Sequence, residues 1–240
     1  WVNQPYRQIT DDVIVLDAGQ WIQDVTFPAR LYLKTLGVEN LKPQDLPAQD
    51  EPLILDGLGR YAIRDFLQQQ DSARHLDIRV LQDRLPVGKV QHSTVEISLV
   101  EQDSLKQRLH QFADDVTLTT QRQWRIHPDL TMNLTVPKLA VTDWVSLEAS
   151  SARAKRRVKT WLEYLLWLVY LNLEDQRATT LRRIVVFSDV TIINTGVNTT
   201  QAKNYLEYWF EAYEYGQVQP LVLPAALLHV LSEKGKKLAW

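Results

Sequence analysis

The sequence predicts an α/β (α+β) fold, a mixed central sheet flanked by helices, on three observations. Helix-period apolar stripes fill the first part of the chain, strand-like segments rich in Thr, Val and Leu cluster from about residue 117, and helices with identifiable starts and stops return after them. With 240 residues, 45% of them hydrophobic, the chain can bury one substantial core.

Taken in order, Val13–Leu16 is a short strand-like run, and the Asp17 carboxylate is placed to cap a helix through Val25. Pro28, whose φ is preset for a first helical turn, opens a second helix to about Leu36, closed by Gly37. Three prolines and several acids make Asn40–Pro52 a surface loop, of a length found where a loop has a role or crosses between subdomains. Helical stretches follow at Leu58–Gln70 and Ser72–Arg84, and Leu85-Pro86-Val87-Gly88 breaks the pattern. Over residues 91–116, Val95, Leu99, Leu105, Leu109, Phe112 and Val116 approximate a helical stripe. Thr117–Ile126 and Thr131–Val136 read as strands about a His127-Pro128-Asp129 turn, and Leu139–Leu147 as a further strand. Ala152–Leu173 is a long helix, basic in its first two turns and apolar on nearly every side afterwards, so its second half should be buried. Leu181–Phe187 and Val190–Ile193 are short strands around Ser188-Asp189. Thr199 or Thr200 caps an aromatic-rich helix to Tyr215, stopped by Gly216, and Pro224 opens a last helix from Ala225 to about Lys234. The expected division is a helical lead-in with a Pro-rich loop over 1–50 and a core over 51–240. That core is helical over about 55–116 and sheet with helices over about 117–234, the whole reading as one structural domain cut from a longer chain.

Composition removes several classes of function. A net charge of −2 gives no global attraction to nucleic acid or anionic membrane, so any such binding needs a local patch. The absence of cysteine excludes disulfides, thiolate zinc sites and thiol nucleophiles together, and fits a reducing, cytoplasmic compartment. The longest apolar stretch, Trp161–Leu173, contains Glu163 and Asn172 and falls short of the roughly 20 residues that span a bilayer. His75, His92, His110, His127 and His229 stand apart, without helical ligand spacing, so no metal site is expected. There is no G-x-S-x-G elbow, Walker A lysine loop or kinase set. Gly57, Gly59 and Ala62 match a dinucleotide-binding turn after the apolar run Leu53–Leu55. The polar, Gln-rich segment that follows lacks the second strand such a unit requires, and no cofactor is expected.

One charge cluster stands out. Arg153, Lys155, Arg156, Arg157 and Lys159 place five cations in seven residues at a helix start. Cations there oppose the helix dipole, at about 0.3–1 kcal/mol each when exposed, so local stability does not explain them. Phosphates of DNA or another polyanion would gain from these side chains and from free N–H groups of the first turn. The other reading is a solvated basic face, or one paired with Glu148, Glu163 or the acids of another subunit. The aromatic series Tyr205, Tyr208, Trp209, Phe210, Tyr213 and Tyr215 has spacings of three and four. It reads as a core or subunit-contact stripe before it reads as a platform for bases. Trp124 is expected to pack across its strand pair.

Three separated blocks carry a family resemblance: Leu55-Asp56-Gly57-Leu58-Gly59-Arg60-Tyr61, Leu85-Pro86-Val87-Gly88, and Tyr213-Glu214-Tyr215-Gly216 followed by Pro220-Leu221-Val222-Leu223-Pro224. With Phe27-Pro28-Ala29-Arg30-Leu31-Tyr32-Leu33 ahead of them, they resemble the C-terminal domain of RecC, the gamma subunit of exodeoxyribonuclease V, from about Ile14 to about Pro224. The resemblance implies a degenerate PD-(D/E)xK nuclease-like core within the RecBCD helicase–nuclease of bacteria, which processes double-strand breaks. It further implies a domain that engages DNA at the fork, helps separate the strands and binds RecB and RecD, the motor and cutting subunits. Active members of that fold hold Mg²⁺ between an Asp on one strand and an acid on the next, with a Lys two residues on. Here no Lys has Asp or Glu two residues before it. The best positional candidates, Asp143 and Glu148, are followed by Ser150 where the lysine belongs, so they are read as vestigial and no catalytic residue is assigned; the alternatives are a metal-dependent DNase with a rearranged active site and a purely structural module that docks RecB or RecD.

Overall fold

The computed structural model describes residues 14–37, 89–127 and 130–219. The expected helices over 58–84 and 225–234, the 40–52 loop, the Gly57-x-Gly59 stretch and the division near residue 50 lie outside them. Strand β1 (Ile14–Asp17) leads into helix α1 (Ala18–Thr26), capped as expected by Asp17, whose Oδ1 accepts from the Gln20 N–H at 2.8 Å. Pro28 opens α2 (Pro28–Thr35), and Gly37 follows at φ +73°, the left-handed conformation that glycine adopts without a Cβ clash.

Helix α3 (Lys89–Leu109) is shorter than its stripe. It ends at Leu109, Phe112 packs from the turn beyond, and Val116 lies outside the helix with an N–H that donates to Asp115 Oδ1. Strands β2 (Thr119–His127) and β3 (Leu130–Pro137) form an antiparallel pair, with β1 parallel to β3 on its other side. Strand β4 (Asp143–Glu148) starts four residues later than expected, because Leu139 and its neighbours run through an exposed loop. Helix α4 (Ala154–Leu171) follows, then the short α5 (Asp175–Ala178), β5 (Arg182–Phe187), β6 (Thr191–Asn194) and α6 (Thr199–Val218).

The fold is mixed α/β, but the strands form two small mixed sheets, ordered β1-β3-β2 and β4-β5-β6, where one central sheet was expected. Thr117 ties them together. Its N–H donates to the Val145 carbonyl at 2.9 Å, and the Val145 N–H donates back to Thr117 Oγ1 at 2.8 Å. This two-bond bridge sits on the edge of β4 that does not pair with β5 and links it to the segment leading into β2. Strand β5 is central to its sheet and correspondingly apolar, with α3 contacting Ile184 and Val186 on one face. On the other face, β4 and β5 run parallel around the α4 crossover.

The main core joins α1, β3, α4 and α6. Trp21, Met132, Leu134, Tyr164, Leu165 and Leu168 are all buried in it, and the buried second half of α4 agrees with its sequence. Trp124 lies opposite Met132 and packs on this core, as expected. The aromatic stripe of α6 divides: Trp209, Phe210 and Tyr213 join the core, Tyr205 packs beside Trp161, and Tyr208 and Tyr215 stay exposed. Two expectations for α6 are corrected. Its cap is Asn198, in a reciprocal box with Gln201, while Thr199 turns inward and donates to the Leu173 carbonyl at 2.8 Å. Gly216 lies buried within the helix and does not end it.

Candidate nucleic-acid interface

The parallel β4–α4–β5 unit decides where the charged side chains stand. Register pairs Trp144 with Arg183, Ser146 with Val185 and Glu148 with Phe187, so the even-numbered residues of β4 share the face beneath α4. Asp143 lies on the other face at the other end of the strand, about 16 Å of strand from Glu148. The two carboxylates are not brought together. Arg182 holds Asp143 through Nε, which donates to Oδ1 at 2.7 Å, and through Nη2, which donates to Oδ2.

Glu148 instead ends β4 under the first turns of α4. Its Oε2 accepts from Arg156 Nη1 at 3.0 Å, and its Oε1 lies 3.5 Å from Lys159 Nζ. Lys159 also reaches Glu163 Oε1 at 3.6 Å, one helical turn on, and Glu163 Oε2 accepts from Arg183 Nη2 at 2.9 Å. Arg156, Glu148, Lys159, Glu163 and Arg183 therefore form a chain of alternating charge across α4, β4 and β5, in which every carboxylate oxygen faces a cation. Arg183 is only 5% exposed. Its Nη1 donates to Ser146 Oγ and to the Trp144 and Ile184 carbonyls, its guanidinium carbon sits 4.1 Å from the Trp144 ring centroid, and its Nε has no partner among the described residues. Burial pushes the guanidinium below its ordinary pKa, while the charge and hydrogen bond of Glu163 work in the opposite direction.

The five cations of the α4 start now separate. Arg156 and Lys159 are tied to Glu148, and Arg157 Nε donates to the Ala152 carbonyl at 2.9 Å. Arg153 and Lys155 are exposed and make no ion pair among the described residues. Arg153 is the N-cap of α4 without a side-chain capping bond, and no acid stands in the first turn. Asp189 fixes the approach to the helix by accepting from the Ala152 N–H at 2.8 Å. Between this helix start and α1 runs a cleft of about 370 Å³ lined by Gly19, Gln23, Thr26, Lys155, Arg156 and Lys159. A second space of about 350 Å³ adjoins it, sharing Gly19, Ile22 and Lys159, with Glu163 and Arg183 on its wall.

A divalent ion of the kind nucleases use does not fit these residues. Glu148 and Glu163 are already neutralised by protein cations, Asp143 is engaged elsewhere, and no group of three or more His, Asp or Glu among the described residues is placed to hold a metal. Sequence reasoning missed Arg183, although its signal was present. Arg182 and Arg183 lead into the apolar run Ile184–Phe187 and Glu163 interrupts the apolar run Trp161–Leu173, so charge in each needs a partner, and Arg183 and Glu163 supply each other's.

The described residues thus form a mixed α/β domain with a cation-lined cleft between α1 and the start of α4. The chain belongs to the RecC C-terminal domain family, whose model matches residues 15–235. Membership implies a part of RecC, and with it the RecBCD assembly, exodeoxyribonuclease V, in DNA repair and recombination. No curated protein matches the chain at a significant level. Among the described residues no helix is long and apolar enough to cross a membrane.

Proposed function

We propose that this chain is a catalytically inactive, nuclease-like domain of RecC that engages DNA at the fork and binds the partner subunits RecB and RecD in the bacterial cytoplasm. The observation that carries the DNA reading is the pair Arg153 and Lys155, both exposed at the start of α4, with Lys155 lining the cleft beside α1 and neither forming an ion pair among the described residues. Removing ordered counterions from DNA phosphates gives such cations a driving force that an intramolecular role does not supply. The parallel β4–α4–β5 crossover with antiparallel β6 supports a degenerate PD-(D/E)xK core. The engagement of both oxygens of Glu148 by Arg156 and Lys159 supports the absence of phosphodiester hydrolysis. Exposed Tyr208 and Tyr215 on α6 favour a docking role alongside DNA contact, since aromatic side chains are enriched at subunit interfaces.

The test is the salt dependence of DNA affinity, in the chain and in the assembled complex. Arg153→Gln with Lys155→Gln is expected to weaken binding and to reduce the slope of log K against log salt by about 2, the release expected for two phosphate contacts on duplex. An unchanged slope contradicts DNA contact at this site and leaves docking as the role of the domain.

A further inference from the structure

A second cationic site lies at the opposite end of α4. Between β2–β3, the 139–142 segment and the last turn of α4 is a cavity of about 450 Å³, within the range of ligand sites, which run to roughly 300–1,000 Å³. Arg122, Lys138 and Arg177 line it from three different segments. All three are exposed, none forms an ion pair among the described residues, and no carboxylate is among the residues lining the cavity. Three acids stand close to wall residues in sequence: Asp143, beside Thr142, is held by Arg182, Asp175 accepts from Thr200, and Glu174, beside Leu173, is exposed and outside the lining. The remaining wall is largely apolar, with Leu139, Val141 and Tyr170 among its residues, and Leu139 is 71% exposed.

Arg122 is informative because of its register. It pairs with Leu134, so it shares the face of the sheet that carries Met132, Leu134 and Val136, all buried. Its neighbour on that face, Trp124, packs on the core. A charged head on this face reaches solvent because the layer opens into the cavity there. An inward charge on an edge strand also deters pairing with other chains, and β2 is an edge. The dipole of α4 likewise favours a cation beyond its C-terminus. Neither effect accounts for three cations from three segments meeting around one apolar concavity.

We propose that this cavity binds an unpaired nucleotide of single-stranded DNA, its phosphates between Arg122, Lys138 and Arg177 and its base against Leu139, Val141 and Tyr170. Cations along a strand path combined with an apolar or aromatic seat for the base is the chemistry of single-strand recognition. A duplex, with its bases stacked inside, offers only the phosphates. The site is separate from the basic start of α4, because that helix of 18 residues is about 27 Å long. The proposal rests on the DNA reading above only for the choice of DNA as the strand.

The experiment uses the full RecC chain in its assembled complex, photocrosslinked to an oligothymidylate carrying 5-iododeoxyuridine, with the crosslinked peptides mapped by mass spectrometry. Crosslinks are expected at peptides containing Tyr170 or Leu139. Their share of all crosslinks should fall about tenfold or more in the Arg122→Gln, Lys138→Gln, Arg177→Gln variant but not in the Arg153→Gln, Lys155→Gln variant, whose weaker overall affinity lowers total yield instead, so that failure here is distinct from failure of the α4-start reading. Each single glutamine variant is expected to lose part of the yield, which keeps the test decisive if the triple variant folds poorly. Absence of crosslinks at these peptides, their persistence in the triple variant, or equal yield from a duplex of the same sequence overturns the proposal.

Discussion

Arg183 is held by the ring of Trp144, three acceptors on β4 and β5, and the carboxylate of Glu163. Removing one member of a buried pair leaves the other charge with part of its desolvation uncompensated. Arg183→Ala should therefore lower the unfolding free energy by about 3–5 kcal/mol in urea titrations, and Arg183→Met with Glu163→Leu by less than half as much. Two tyrosines add a pH dependence. Burial raises the phenol pKa of Tyr164, against a backbone hydrogen bond that lowers it, and burial raises that of Tyr213, with the charge of Asp24 adding to the effect. Above about pH 10 the unfolded chain loses these protons while the folded chain keeps them, so stability is present in full below that pH and falls as pH rises. The melting temperature should drop through this alkaline window, and more gently in a Tyr164→Phe, Tyr213→Phe variant measured by circular dichroism. At this scale the sequence showed the cations of α4 and the lone Asp143 and Glu148. It did not show their partners, because pairing depends on strand register: Glu148 points under α4 and Asp143 to the opposite face.

At the scale of elements, starts and stops with local chemistry were the legible ones. Asp17, Pro28 and Gly37 act where expected, since a cap or a left-handed turn involves only neighbouring residues. The start of α6 was displaced by one residue because Thr199 is drawn inward to the Leu173 carbonyl, a contact between distant segments that no local pattern announces. Asn198→Ala should consequently cost about 1 kcal/mol in a denaturant series. The Glu148 clamp makes a sharper prediction. Glu148→Ala releases Arg156 and Lys159, so DNA affinity should rise and the salt slope steepen, whereas a carboxylate that served DNA through a metal would weaken binding when removed. Because the pair is partly exposed, the same substitution should change stability by less than about 1 kcal/mol.

For the whole molecule, mixed α/β character was readable from the alternation of strand and helix patterns, while the split into two sheets was not. Which strands pair is a matter of backbone path and not of residue type, and the bonds between Thr117 and Val145 show how the segment before β2 meets β4. The result is a helix, α4, with a basic, clamped start at one end and an open cationic cavity at the other, on a scaffold whose family places it in RecBCD. The proposed role requires that Glu148 and Glu163 serve the protein's own cations and that the domain bind DNA without cutting it. Incubating the purified chain with labelled linear DNA and Mg²⁺ or Mn²⁺, as wild type and as Glu148→Ala, tests this most directly. Bound, uncut DNA with both proteins is the predicted result, and strand cleavage by the wild type that disappears in Glu148→Ala would contradict it.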